Sequence, residues 1–360
     1  MTRTPRAPGR RTAAAVALAC ALTATVQTPA RAEPEPATLT EVRDRIERLY
    51  HHAEAATDQY NAAGEKVSAK KKRVRGLDAR VTATETRLTR LTSLAGAAAR
   101  AQYRGGGLPA EAQFVLTGDP ERALDTASVA RQAQQSTQRV LTALAETRGK
   151  LEKQRASAED ELRELRSERK KMAAHRKTIE KRIATAEATE ARLSEEQRLR
   201  LAALDKEKAD EAQAKWVETG ALDKADKADK ADRADGADTG ENSVGRRAIA
   251  FATRQLGKPY VWGAEGPDSY DCSGLTSQAW LDAGVAIPRT SQEQWRLLHR
   301  VPVEDIRPGD LIIYNADATH VSLYIGDGKM IHAPRPGRYV TVAPAGSMPI
   351  LGVVRPGART

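Results

Sequence analysis

An α+β domain carried behind a long antiparallel α-helical hairpin is the fold class this sequence predicts, and three observations predict it. Two heptad series flank a glycine- and proline-rich break, a charged low-complexity tract follows them, and helical periodicity then gives way to strand alternation near the C-terminus. Of the 360 residues, 40% are hydrophobic and 4% aromatic, too few for packed core throughout. Much of the chain must therefore be elongated or solvated.

Residues 1–32 read as a secretory signal peptide. Arg3, Arg6, Arg10 and Arg11 precede an apolar run from Ala13 to Val26, and Ala30-Arg31-Ala32 offers small residues at a cleavage position. The run falls short of the roughly 20 residues a membrane span requires. Neither Arg10-Arg11 nor Leu18-Ala19-Cys20 has the fuller context of a twin-arginine or lipoprotein signal. Cleavage removes Cys20 and leaves Cys272 as a lone thiol in a compartment where thiols normally pair. A catalytic role is one explanation, a small buried hydrophobe the other. The net charge of +10 suits anionic wall polymers or lipid head groups, and no nucleic-acid motif accompanies it.

Residues 33–215 form the expected hairpin. Leu39, Ile46, Ala53, Tyr60, Val67, Val74, Val81, Leu88 and Ala95 recur every seven residues, with Val42, Leu49, Ala56, Ala63, Leu77 and Leu91 three further on. That spacing is a coiled-coil seam, interrupted at Lys70 and Thr84. Gly105-Gly106-Gly107-Leu108-Pro109 breaks it. A second series runs Leu144, Leu151, Ala158, Leu165, Met172, Ile179, Ala186 and Leu193, with a narrower companion stripe. Helices joined by a short broken segment fold back antiparallel, with a dimer between chains as the alternative. Residues 216–245, built around repeats of Asp223-Lys224-Ala225, read as a charged linker.

The composition changes at Arg246, and residues 246–360 suffice for one small domain. Helices are expected over Ala248 to Leu256 and Leu275 to Ala283, and from Thr290, whose spacing to Glu293 fits a capping box. Strands are expected near Asp310 to Tyr314, His320 to Ile325, Lys329 to Ala333 and Tyr339 to Val342.

Cys272 stands at the start of the second of these helices, where unpaired N–H groups and the helix dipole favour a thiolate or hold an oxyanion. A thiol nucleophile needs a base, and the domain offers His299, His320 and His332. His299 lies in a polar helix end. A three-residue loop, Gly326-Asp327-Gly328, places His320 and His332 on one face of paired strands, and a two-residue loop places them on opposite faces. No His-Glu-x-x-His and no second cysteine is present to complete a zinc site, so neither a metal nor another cofactor is expected.

Gly257-Lys258-Pro259-Tyr260-Val261-Trp262-Gly263, Asp271-Cys272-Ser273-Gly274-Leu275, Pro288-Arg289-Thr290-Ser291, Pro308-Gly309-Asp310-Leu311, His320-Val321 and Ile331-His332-Ala333 together resemble the NlpC/P60 peptidoglycan hydrolases. The resemblance covers the C-terminal third and implies a papain-like fold in which Cys272 attacks, His320 is the base and His332 orients it. It also implies that Tyr260, Asp271 and Ser273 help bind the stem peptide. Tyr260 also reads as a core aromatic, and Asp271 as a helix cap. The implied substrate is the peptidoglycan stem peptide, cut between D-glutamate and the following diamino acid by a secreted, wall-associated enzyme in wall remodelling or cell separation. The hairpin is similar to those of exported wall hydrolases, some of which occlude their active site or dock on a membrane-embedded division complex. An amidase or general peptidase on the same scaffold and a non-catalytic division scaffold are the rival readings, the last opposed by the three filled catalytic positions.

Overall fold

The computed structural model describes residues 38–104, 120–220 and 240–358. The expected signal peptide, the glycine break and the centre of the charged tract lie outside them. Helices α1 (Leu39–Arg104) and α2 (Pro120–Ala191) run antiparallel, since Lys70 reaches Glu161 while Thr84 bonds Gln154 and Arg155 pairs with Glu85. At 66 residues α1 is about 100 Å long. The predicted seam is buried at Ile46, Ala53 and Val67 and at Leu151, Leu165, Ile179 and Ala186. Thr84, an interruption in the heptad, is buried with its hydroxyl satisfied by Arg80 O and Gln154 Oε1.

The second series does not continue as one helix through Leu193. Ser194 starts α3 (Glu195–Glu218) with a complete capping box, its side chain accepting from Gln197 N while Gln197 bonds back to the Ser194 N–H. α3 packs Leu201 against Ile46, Tyr50, Ala186 and Leu193, and Arg43 pairs with Asp205 at 2.7 Å. The segment read as linker is helical at both of its described ends. α3 reaches Glu218, and α4 (Gly240–Thr253) opens before Arg246.

Next come α5 (Cys272–Asp282) and α6 (Ser291–Leu297), then an antiparallel sheet: β1 (His299–Val301), β2 (Leu311–Tyr314), β3 (His320–Gly326), β4 (Lys329–His332), β5 (Thr341–Pro344) and β6 (Ile350–Arg355). The strand order is β1-β6-β2-β3-β4-β5. β1 and β6 have no counterpart in the strand pattern expected from sequence. Leu311, Ile313, Val321, Leu323, Ile331 and Val354 form one face of the sheet and bury Leu275, Ala279 and Trp280 of α5. Ile312, Tyr314, Tyr324, Met330 and Val353 form the other. Trp216 from the end of α3 packs on that second face, and Gln213 accepts a bond from Gly346 N at 2.6 Å. Helical segments before the domain thus bury part of its sheet.

Candidate active site

The hairpin between β3 and β4 settles the register. Gly326 pairs with Lys329, so the turn contains two residues, Asp327 and Gly328, rather than three. The register shifts between Tyr324 and Gly326, where Ile325 bulges, and beyond it Tyr324 pairs with Met330 and Leu323 with Ile331. The extra residue in the bulge restores the alignment that a three-residue loop would have given. His320 and His332 therefore share a face, with His320 Nε2 3.0 Å from His332 Nδ1 and the rings edge-on. Burial first, and the neighbouring His320 second, hold His332 well below the ordinary imidazole range, so it stands neutral.

Cys272 opens α5, and Asp271 is the helix's N-cap, accepting from Gly274 N at 2.6 Å. The thiol is buried and hydrogen bonded to the backbone of Val321, the residue after His320. Burial, then the charges of Asp271, Asp58 and Glu54, push it well above its usual value. His299 lies in β1 and is exposed, away from this group.

Asp271 is more heavily committed than its expected binding role requires. Its carboxylate also accepts from Gly263 N at 2.9 Å, from two Arg289 nitrogens at 3.0 and 2.7 Å, and from Asn61 Nδ2 at 3.1 Å. Ser273 is fully buried, and its hydroxyl faces Arg289 Nη1 at 2.9 Å and Asp271. Tyr260 is buried, and burial, with Cys272 and the surrounding carboxylates behind it, raises its hydroxyl well above the tyrosine range. Arg289, to which the sequence assigned no role, ties Asp271, Ser273 and Glu265 together.

The first half of α1 lies across this group. Glu54 Oε1 stands 3.5 Å from His320 Nδ1, Asp58 accepts from Ser291 Oγ at 2.9 Å and Gln292 Nε2 at 2.7 Å, and Asn61 bonds Asp271. Tyr60 packs edge-on against Trp262 at 5.2 Å, and His51 meets Asp317 at 3.1 Å. Glu54, Asp58 and Asn61 are spaced four and three residues apart, one helical face off the heptad seam. In sequence that face is indistinguishable from a solvated one.

Helices first, an antiparallel sheet after them, and a cysteine at a helix N-terminus near two bonded histidines define a papain-like α+β domain. The NlpC/P60 family profile matches residues 257–348, and the chain carries a domain of that family at its C-terminal end. It is 45% identical over 91 residues to a probable endopeptidase of Corynebacterium glutamicum, covering 25% of this chain and 44% of that protein. It is 40% identical over 99 residues to a probable endopeptidase of Mycobacterium tuberculosis, covering 28% and 26%. The match thus spans less than half the length of these curated relatives. Among solved structures, the NlpC/p60 domain of the peptidoglycan hydrolase SagA aligns at 32% identity over 31% of this chain and 97% of that one, with a TM-score of 0.29.

Among the described residues, no group of three histidine, cysteine, aspartate or glutamate side chains is placed to hold a metal ion, and no helix is long and apolar enough to cross a membrane.

Proposed function

We propose that this protein is an exported cell-wall endopeptidase of the cysteine type, cutting peptidoglycan stem peptides between D-glutamate and the diamino acid, and that its own hairpin holds it latent. The observation that carries the catalytic reading is the bond from His320 Nε2 to the neutral His332. It leaves Nδ1 as the nitrogen free to exchange a proton with Cys272.

In that reading Cys272 Sγ attacks the scissile carbonyl as a thiolate, with its proton on His320 Nδ1. The first turn of α5 supplies backbone donors for the oxyanion. Collapse expels the amine of the diamino acid, which takes the proton from His320, and leaves a thioester. Water activated by His320 then releases the free carboxylate. Arg289 fixes Asp271, and when α1 withdraws, the position that Asn61 Nδ2 occupies becomes open to a substrate N–H. The latent reading rests on α1 filling the cleft, anchored by Asp58 and Asn61.

The test of the bond cut is digestion of purified peptidoglycan by residues 240–360, followed by mass analysis of the fragments. Free D-glutamyl carboxylates paired with new diamino acid termini are expected. Stem peptides released whole from the sugar would instead identify an amidase.

The two histidines separate by role. His320→Ala is expected to lower the digestion rate of residues 240–360 by about a thousandfold or more, as loss of a catalytic base does. His332→Ala should cost about ten- to a hundredfold, because an orienting group acts through tautomer and geometry. Initial rates on wall fragments measure both, and an unchanged rate for His332→Ala would remove it from the catalytic set.

A further inference from the structure

Helix α1, which lies as a strap across the site, meets the catalytic pair through a charge. Glu54 Oε1 lies within ion-pair reach of His320 Nδ1, and that nitrogen is buried and makes no hydrogen bond among the described residues. On its other side His320 is bonded to His332, which is neutral and supplies no charge. From α1 the pocket also receives Asp58 and Asn61, and His51 sits by Asp317 and Thr319 where β3 begins. From the domain it receives Cys272, Asp271 and Tyr260. The Arg289 guanidinium is held by Asp271 and Glu265.

We propose that Glu54 is a resident counter-ion for His320, taking the place that the Cys272 thiolate holds in the armed enzyme, so that the hairpin disarms the nucleophile as well as covering it. The proposal rests on the Cys272–His320 pair inferred above. Its logic is charge balance in a buried site. The armed pair, a thiolate with an imidazolium, holds one proton between two groups and is neutral. With the Glu54 carboxylate at Nδ1, neutrality is reached with one proton more: carboxylate, imidazolium and thiol. Loss of the thiol proton would then leave an unbalanced negative charge beside Asp58 and Asp271, away from water. The sulfur therefore keeps its proton while the strap is closed. Withdrawal of α1 removes the competing anion together with the steric cover, and the imidazolium then pairs with sulfur.

The test is the ultraviolet absorption of the thiolate, read across pH in the full chain with Cys272→Ala as blank. It reports the charge on sulfur and needs no reagent to enter the cleft. Glu54→Gln keeps the side chain's length and shape and removes its charge. The expected result is a deprotonation midpoint at least about one pH unit lower than in the parent, a tenfold rise in thiolate fraction, with hydrolysis of a soluble stem peptide as low as before. An unshifted midpoint overturns the proposal, leaving α1 a cover only. A shift accompanied by a rise in hydrolysis also overturns it, because Glu54 would then be a bolt whose loss opens the strap. Adding His320→Ala to Glu54→Gln should return the midpoint upward. If it does not, the Cys272–His320 pair is wrong, whatever Glu54 does.

Discussion

Cys272→Ala is expected to reduce wall hydrolysis by residues 240–360 by at least about a thousandfold, leaving only what substrate binding and oxyanion donors achieve without a nucleophile. No other thiol stands in the described domain. The fold should persist, since the change deletes one atom from a site between α5 and β3 and costs on the order of 1 kcal/mol. Thermal unfolding of the variant checks the fold, and its digestion of purified peptidoglycan checks the chemistry. Substantial residual cleavage by a folded Cys272→Ala chain would end the thiol mechanism. The same variant separates the enzyme from a division scaffold, for which the substitution would leave function intact.

Much of the site was legible because its chemistry imposes local sequence. A cysteine behind a capping aspartate, Asp271-Cys272, marks both the helix start and the candidate nucleophile. Strand alternation located β3 and β4, yet it left the loop between them open to two or three residues, and with it whether His320 and His332 share a face. Gly326-Asp327-Gly328 fits either loop, and a bulge at Ile325 leaves no mark in a two-residue period. The break before α3 was legible and passed over. Ser194 and Gln197 have capping-box spacing, but Leu193 completes the heptad series and drew the helix onward. β6 was missed although Ile350, Leu351, Val353 and Val354 are apolar, because its Gly352 breaks the strand pattern. The structure shows why glycine stands there: a Cβ would lie 2.6 Å from the ring of Trp295. The strap's contacts were not legible at all. Whether Asp58 faces water or Ser291 is decided by a domain more than 200 residues away in sequence, and no local pattern records it.

Opening the strap is expected to raise activity, and the magnitude follows from its anchors. Asn61→Ala removes a hydrogen bond to the buried, charged Asp271, worth about 1.5–3 kcal/mol. Asp58→Ala removes two bonds from Ser291 and Gln292, but it also relieves a burial cost. Desolvation chiefly, with Asp271 and Glu54 behind it, raises the Asp58 carboxyl well above its ordinary range. Asn61→Ala should therefore be the stronger single change, and the pair together is expected to shift closure by about 3 kcal/mol, roughly 150-fold in the open fraction. The raised carboxyl also fixes the sign of the pH response. Closure binds a proton that the open form gives up, so it is firmest below the ordinary carboxylate range and weakens as pH rises towards the raised value. The measurement is hydrolysis of a small soluble stem peptide, which gains nothing from wall targeting, by residues 33–360, by the Asp58→Ala/Asn61→Ala form and by residues 240–360 at equal concentration and salt. The parent should be slowest, with the double variant approaching the short domain. If the parent already matches residues 240–360, the helix seated on Asp271, Ser291 and His320 exerts no restraint, and the hairpin is a spacer or an address for the wall.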